Sequence, residues 1–186
     1  MKILLITLEY PPQHGGVASY YSGLIEELRH RGNEVTVVSQ GLLSQWLWPH
    51  WLRGYFTVRS AIKKEKPDYI FVGHVLPLGT VAYLLRKHVP YVAFTHGMDV
   101  LLSQKSWRKK RLVRKILTDA KQIVANSEFT HGIVDEILRG QKFTIVRKRP
   151  QIFVLYPCPN ISPEIKPEEV EILRRKLGLT GKKVML

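Results

Sequence analysis

The chain of 186 residues is poor in cysteine, in acidic residues and in long apolar runs. Its single cysteine, Cys158, excludes an intrachain disulfide and a zinc site built from cysteines. One thiol fits a reducing compartment. Fifteen Asp and Glu stand against twenty-nine Lys and Arg, a formal charge of +14 with histidine neutral. That imbalance attracts anions (phosphates, nucleic acid or acidic lipid headgroups) and is silent on fold. No stretch approaches the ~18 to 20 apolar residues of a spanning helix, and the opening run from Met1 to Thr7 meets Glu9 too soon for a signal peptide. These absences predict a cytoplasmic protein, with any membrane contact peripheral and on the inner face. Two nucleotide fingerprints are missing as well. There is no G-x-G-x-x-G loop, the second strand ends in Ser39-Gln40 without an acidic residue for a ribose, and there is no Walker pattern. NAD and P-loop chemistry are thereby disfavoured.

What is present reads as alternating strands and helices. Lys2 to Thr7 is a continuous apolar run, the signature of a strand buried on both faces of a parallel sheet. Val17, Tyr20, Tyr21, Leu24, Ile25 and Leu28 then form a helical stripe that Gly32 terminates, and Glu34 to Val38 is a second strand. Further strands are predicted at Tyr69–Val72, Tyr91–Phe94, Gln122–Ala125 and Gln151–Leu155. Helices are predicted over 55–64, from Leu78 to Leu85, over 106–118 and from about Ser127. Residues 140–150 read as an extra strand or hairpin. The pattern predicts an α/β fold with a doubly wound, mostly parallel sheet. Prolines at 157, 159, 163 and 167 mark a linker, a helix follows from Glu168 to Leu177, and Lys182 to Leu186 opens another apolar strand. The expected organisation is one Rossmann-like domain over 1–165, then a linker and the start of a second domain over 166–186.

Ligands of such a sheet bind beyond the carboxyl ends of its strands, so the strand-to-helix loops are the places to search. In the first loop, Gly15, Gly16 and Val17 open a helix. Paired glycines there admit a pyrophosphate to backbone N–H groups, or simply satisfy a tight turn. Thr95-His96-Gly97-Met98-Asp99 leaves a buried strand directly. His96 is the catalytic candidate, able to hydrogen-bond a sugar hydroxyl or a phosphate, with a backbone-capping role as the alternative. Asp99 reads equally as a helix cap or a ligand contact, and His74 has a similar placement. Asn126 and Ser127 repeat the geometry, Ser127 as an N-cap first and a ligand contact second.

Two surface features remain. Lys105, Arg108, Lys109, Lys110, Arg111, Arg114 and Lys115 crowd one helix face, with no acid between Asp99 and Asp119. Residues 42–53 gather Trp46, Trp48 and Trp51 with four leucines. A solvated outer face and a loop tucked into the core are the plain readings. An anionic membrane surface is the alternative, because aromatics beside basic residues suit a bilayer interface.

Glu9-Tyr10-Pro11-Pro12 with Gly15-Gly16-Val17, then Thr95-His96-Gly97, then Ala125-Asn126-Ser127-Glu128-Phe129-Thr130 resemble the N-terminal half of retaining glycosyltransferases of family 4. That group includes glycogen synthases, sucrose synthases and bacterial or archaeal mannosyl- and glucosyltransferases. The resemblance spans residues 1–165 and specifies the superfamily, not a substrate. It implies a GT-B fold whose first Rossmann-like domain holds the acceptor, while a second domain holds most of the nucleotide-sugar. Gly15 and Gly16 would lie beside the donor diphosphate and His96 near the transferred sugar. No metal and no cofactor are implied, the nucleotide-sugar being a co-substrate. The implied acceptor is a sugar, a polyol or a lipid-linked or phosphorylated hydroxyl. Pro157-Cys158-Pro159-Asn160-Ile161 departs from the family's proline–asparagine–glycine turn, and the downstream acidic donor motif is absent, so this stretch alone is expected to be inactive. Two rival readings are a GT-B enzyme that is not a transferase, such as a sugar-nucleotide epimerase, and a basic anion- or nucleic-acid-binding module. The latter is disfavoured by the lack of a recognised nucleic-acid motif.

Overall fold

A computed structural model describes residues 1–139, 149–157 and 166–183. Six parallel strands form one sheet in the order β2-β1-β3-β4-β5-β6. They are β1 (Lys2–Ile6), β2 (Glu34–Val38), β3 (Tyr69–Val72), β4 (Tyr91–Thr95), β5 (Gln122–Ala125) and β6 (Gln151–Val154). The helices are α1 (Gly16–His30), α2 (Leu52–Glu65), α3 (Leu78–Leu85), α4 (Met98–Gln104), α5 (Trp107–Asp119), α6 (Glu128–Arg139) and α7 (Pro167–Lys176). The doubly wound α/β reading holds.

The continuous apolar run of β1 has a physical cause in two separate cores. Ile3 and Leu5 pack with Tyr20, Tyr21 and Ile25 of α1 on one face. Leu4 and Ile6 pack on the other with Val58 of α2, Leu78 and Val81 of α3, Ile116 of α5 and Val134 of α6. Each such side chain contributes about 1.5–3 kcal/mol on full burial, so a polar residue at any of the four would be costly. Cover is uneven. Among the described residues α1 is the one helix on its face, and Phe153 and Leu155 at the β6 edge stay exposed there.

Two element readings are corrected. The stretch read as a loop before a helix over 106–118 contains a further helix, α4. It is seven residues long, and Met98, Leu101 and Leu102 face solvent, so it carries no clean apolar stripe to read. α2 begins at Leu52, three residues before the predicted start. Residues 140–148 of the predicted extra strand or hairpin, the turn at Cys158 to Ile161, and Val184 to Leu186 of the last predicted strand lie outside the described residues. Among the described residues no helix is long and apolar enough to cross a membrane.

Candidate functional site

The sheet order places a switch point between β1 and β3: β1 leads to β2 on one side, and β3 leads to β4 on the other. In open α/β sheets, ligands bind at such a switch point, in the crevice outside the carboxyl ends of the strands. Thr7, buried at the end of β1, closes a tight turn. Its hydroxyl accepts from the Glu9 N–H (3.3 Å) and donates to the Glu9 carbonyl (3.1 Å). Glu9 is thereby aimed across the crevice, its Oε1 3.5 Å from Nε2 of His74. On the other side of the His74 ring, Nδ1 accepts from the Leu8 N–H at 3.5 Å.

Gly15 and Gly16 start α1, which has no side-chain cap and no acid in its first turn. The first-turn N–H groups are therefore left for an incoming acceptor. A Cβ placed on Gly15 would sit 3.5 Å from Glu9 Oε2, so that carboxylate borders the glycine loop. Val17 packs against the α1-side core.

β4 delivers the third part. Thr95 is buried and donates to the Val124 carbonyl at 3.2 Å, which ties the end of β4 to β5. The His96 ring lies 6.3 Å from that of His74 and makes edge contacts at 5.4 Å with both Tyr20 and Tyr21. Burial, the dominant cause, and neighbouring His74 hold His96 below the usual imidazole range, against the opposing pull of Asp99 and Glu9. Gly97 takes a left-handed φ of 78°, and a Cβ there would lie 3.2 Å from Thr130 Oγ1. That turn demands glycine.

Asp99 is engaged by the backbone. Its Oδ1 accepts from His96 N–H (3.1 Å) and Val100 N–H (2.8 Å), and its Oδ2 from Val75 N–H (3.3 Å). One carboxylate thus clasps the β3–α3 and β4–α4 loops together. Ser127 accepts from the Thr130 N–H at 3.2 Å, the expected N-cap bond of α6, and Asn126 Oδ1 accepts from Thr130 Oγ1 at 2.7 Å. The structure therefore gathers Gly15, Gly16, His74, His96, Gly97 and Asp99 around one crevice, with Thr95, Asn126 and Ser127 bracing its β4–β5 side.

Two members escaped the sequence reading. Tyr21 sits on the apolar stripe of α1 and reads as core, yet its hydroxyl is 2.6 Å from His96 Nε2. A pair of tyrosines, Tyr20 and Tyr21, on the stripe of α1, one turn from a candidate site, is the signal that was available, because a buried phenol needs a hydrogen-bond partner. Glu9 reads from the sequence only as part of the Glu9-Tyr10-Pro11-Pro12 motif. Its signal is being the first acid after the first strand.

The tryptophans divide. Trp46 and Trp48 are 94% and 86% exposed, whereas Trp51 turns inward against the larger core. On α5, Val113, Ile116 and Leu117 are buried. Arg108, Lys109, Lys110, Arg111 and Lys115 of this helix are exposed and Arg114 is half-buried, whereas Lys105, also exposed, lies outside it at the end of α4. A separate cavity of about 780 Å³, lined by Arg86, Asp119, Lys121 and Arg149 among others, lies where β4, β5 and β6 begin. That is the wrong end of the sheet for a switch-point ligand.

The family profile described as Glycosyltransferase Family 4 matches residues 14–147. No curated protein matches the chain. Among solved structures, HepE of Anabaena in complex with UDP-glucose is 16% identical with a TM-score of 0.59, over 97% of this chain and 50% of that one. HepE with UDP and glucose gives 18% identity and a TM-score of 0.57, over 96% and 50%. An alpha-glucosyltransferase (AGT) in complex with UDP gives 14% and 0.50, over 84% and 44%. At these identities the likeness is one of fold, and the chain spans about half the length of the structures it matches.

Proposed function

This chain belongs to Glycosyltransferase Family 4, and on that premise we propose that it is the acceptor-side domain of an enzyme moving a hexose from a nucleotide-sugar to a hydroxyl acceptor with retention. One observation carries the reading. The uncapped N-terminus of α1, the Glu9–His74 pair and His96 converge on the switch point between β1 and β3.

In the proposed reaction the acceptor oxygen bonds to the anomeric carbon on the face from which the diphosphate departs. The carbon–oxygen bond to the diphosphate breaks, and the acceptor proton passes to the leaving phosphate oxygen. Gly15, Gly16 and Val17 present N–H groups to the diphosphate. A helix N-terminus supplies about 0.3–2 kcal/mol per charge, too little for a leaving diphosphate. We therefore assign the remaining charge stabilisation to cations of a donor-binding domain, not to a metal, and place its start near residue 166. The exposed Val170, Ile172, Leu173 and Leu177 around α7 are apolar surface that such a domain would cover. We further propose a lipid-linked acceptor reached at an anionic membrane face, supported by the exposure of Trp46 and Trp48 and by the basic face of α5.

The test uses the protein with its second domain, offered UDP-, GDP- and ADP-sugars, with and without anionic vesicles. UDP-sugars come first because HepE and AGT were captured with UDP. Nucleotide release from one donor, raised by vesicles, is the expected result. If no donor turns over and none raises the melting temperature, the transferase reading is wrong.

A further inference from the structure

Tyr21 is fully buried in the α1-side core, with its hydroxyl turned toward the ends of β3 and β4. It has two partners there. The carbonyl of Gly73 lies 2.9 Å away and Nε2 of His96 lies 2.6 Å away. A carbonyl only accepts and a phenol carries one proton, so the Tyr21 proton goes to Gly73. The phenol stays protonated, since burial, followed by Tyr20, Asp99 and Glu9, pushes its pKa well above the ordinary value. The remaining contact then requires a proton on His96 Nε2, donated to the Tyr21 oxygen. The reverse assignment would set two lone pairs against each other, Tyr21 oxygen on Gly73 oxygen, in a buried place.

The packing makes this arrangement rigid. A Cβ on Gly73 would meet Thr7 at 2.8 Å and the Tyr21 ring at 3.1 Å, so bare backbone is what lets the phenol lie against this carbonyl. Edge contacts from Phe94 (5.7 Å) and Tyr20 (5.3 Å) hold the Tyr21 ring in place. His74 follows the same rule. Its Nδ1 takes the Leu8 N–H, so its Nε2 proton faces Glu9. Both imidazoles thus spend their proton on the protein.

We propose that Tyr21 is a positioning residue that locks His96 in the Nε2–H tautomer, leaving Nδ1 as a bare acceptor that takes a substrate hydroxyl and rejects a phosphate oxygen. The substrate part rests on the transferase reading above, and the tautomer part does not. It divides the crevice by chemistry: N–H donors at the start of α1 for the anionic group, lone pairs at His96 and Glu9 for neutral hydroxyls.

The tautomer is read directly in this 186-residue chain. Two-bond proton–nitrogen correlation spectra near pH 7.5 distinguish protonated from bare ring nitrogens, and the His96 signals are assigned by their loss in His96→Gln. The expected spectrum has Nδ1 bare and Nε2 protonated. Tyr21→Phe should move His96 toward a mixture of tautomers while the other histidines keep their signals. A proton on Nδ1 in the unaltered protein, or His96 nitrogen shifts unmoved in Tyr21→Phe, overturns the lock. Should Tyr21→Phe fail to fold, the unaltered spectrum still decides the tautomer.

The hydroxyl assignment is tested in the two-domain enzyme with singly deoxygenated substrates. One position should lose about tenfold or more in kcat/KM. That penalty should shrink severalfold in Tyr21→Phe. Equal penalties at every position in both enzymes overturn the hydroxyl assignment. A correct tautomer with no turnover of any nucleotide-sugar overturns the transferase reading and leaves the lock standing.

Discussion

At the scale of single residues the crevice is defined by where protons and lone pairs are forced to lie. His96 shows the consequence for stability. Burial lowers its pKa from the usual value of 6.5. In the folded state the ring is neutral, whereas in the unfolded chain it takes up a proton as pH falls below about 6.5. The unfolded state then binds more protons, so the folded state loses stability as pH drops from there toward the lowered folded pKa. Asp99 and Glu9 oppose this and His74 reinforces it, with burial the largest cause. The expected outcome is a denaturant midpoint that falls between pH 7 and pH 5. The fall should be shallower in His96→Gln, and parallel curves for the two proteins would rule His96 out as the source.

At the scale of elements, close approach decides what local propensity cannot. Gly54 lies within α2, where exchanging glycine for alanine ordinarily stabilises a helix by about 0.5–1 kcal/mol. Here an added Cβ would fall 2.5 Å from the Leu42 carbonyl oxygen. Leu42 is itself buried in the larger core, so that carbonyl has little room to move. The overlap outweighs the gain, and Gly54→Ala is expected to destabilise by about 1–3 kcal/mol. Urea unfolding checks this, and a variant as stable as its parent would mean the loop over 39–51 yields easily. The same contact explains why the tryptophan loop is pinned at Leu42 and Trp51 while Trp46 and Trp48 project between them. Helix stripes and strand runs were legible because periodicity follows burial. α4 was not, since its capture depends on the Gly97 turn and the Asp99 clasp rather than on a stripe.

At the scale of the whole molecule, charge and exposed aromatics set the expected encounters. A formal charge of +14 creates a long-range attraction that salt weakens, whereas exposed indoles act at contact range. The proposed membrane face therefore predicts two separable effects in vesicle co-sedimentation. Replacing Lys109, Lys110 and Arg111 with Gln should lower binding mainly at low salt. Trp46→Ser with Trp48→Ser should lower it at all salt concentrations. Retention of full binding by both variants would remove the membrane proposal and leave these residues as solvated surface. The sheet itself is the common scaffold: one parallel order brings the loops after β1 and after β3, 66 positions apart at Leu8 and His74, into contact there and at the Glu9–His74 pair.

Sequence alone determined the strands, most of the helices and their parallel arrangement, because burial on two faces imposes periodicity and apolar runs that are local in the chain. It also located the loops that bear Gly15, His74, His96 and Asn126, since ligand loops follow strand ends. Tertiary structure decided which of those residues meet, and in what role. Asp99 became a clasp between two loops, Trp51 packed against the core, and Tyr21, still part of the α1-side core, became the hydrogen-bond partner of His96. The physical reason is that a hydrogen bond between residues 75 positions apart leaves no periodic trace in sequence. Its partners are chosen by the fold's geometry, which a one-dimensional pattern does not carry.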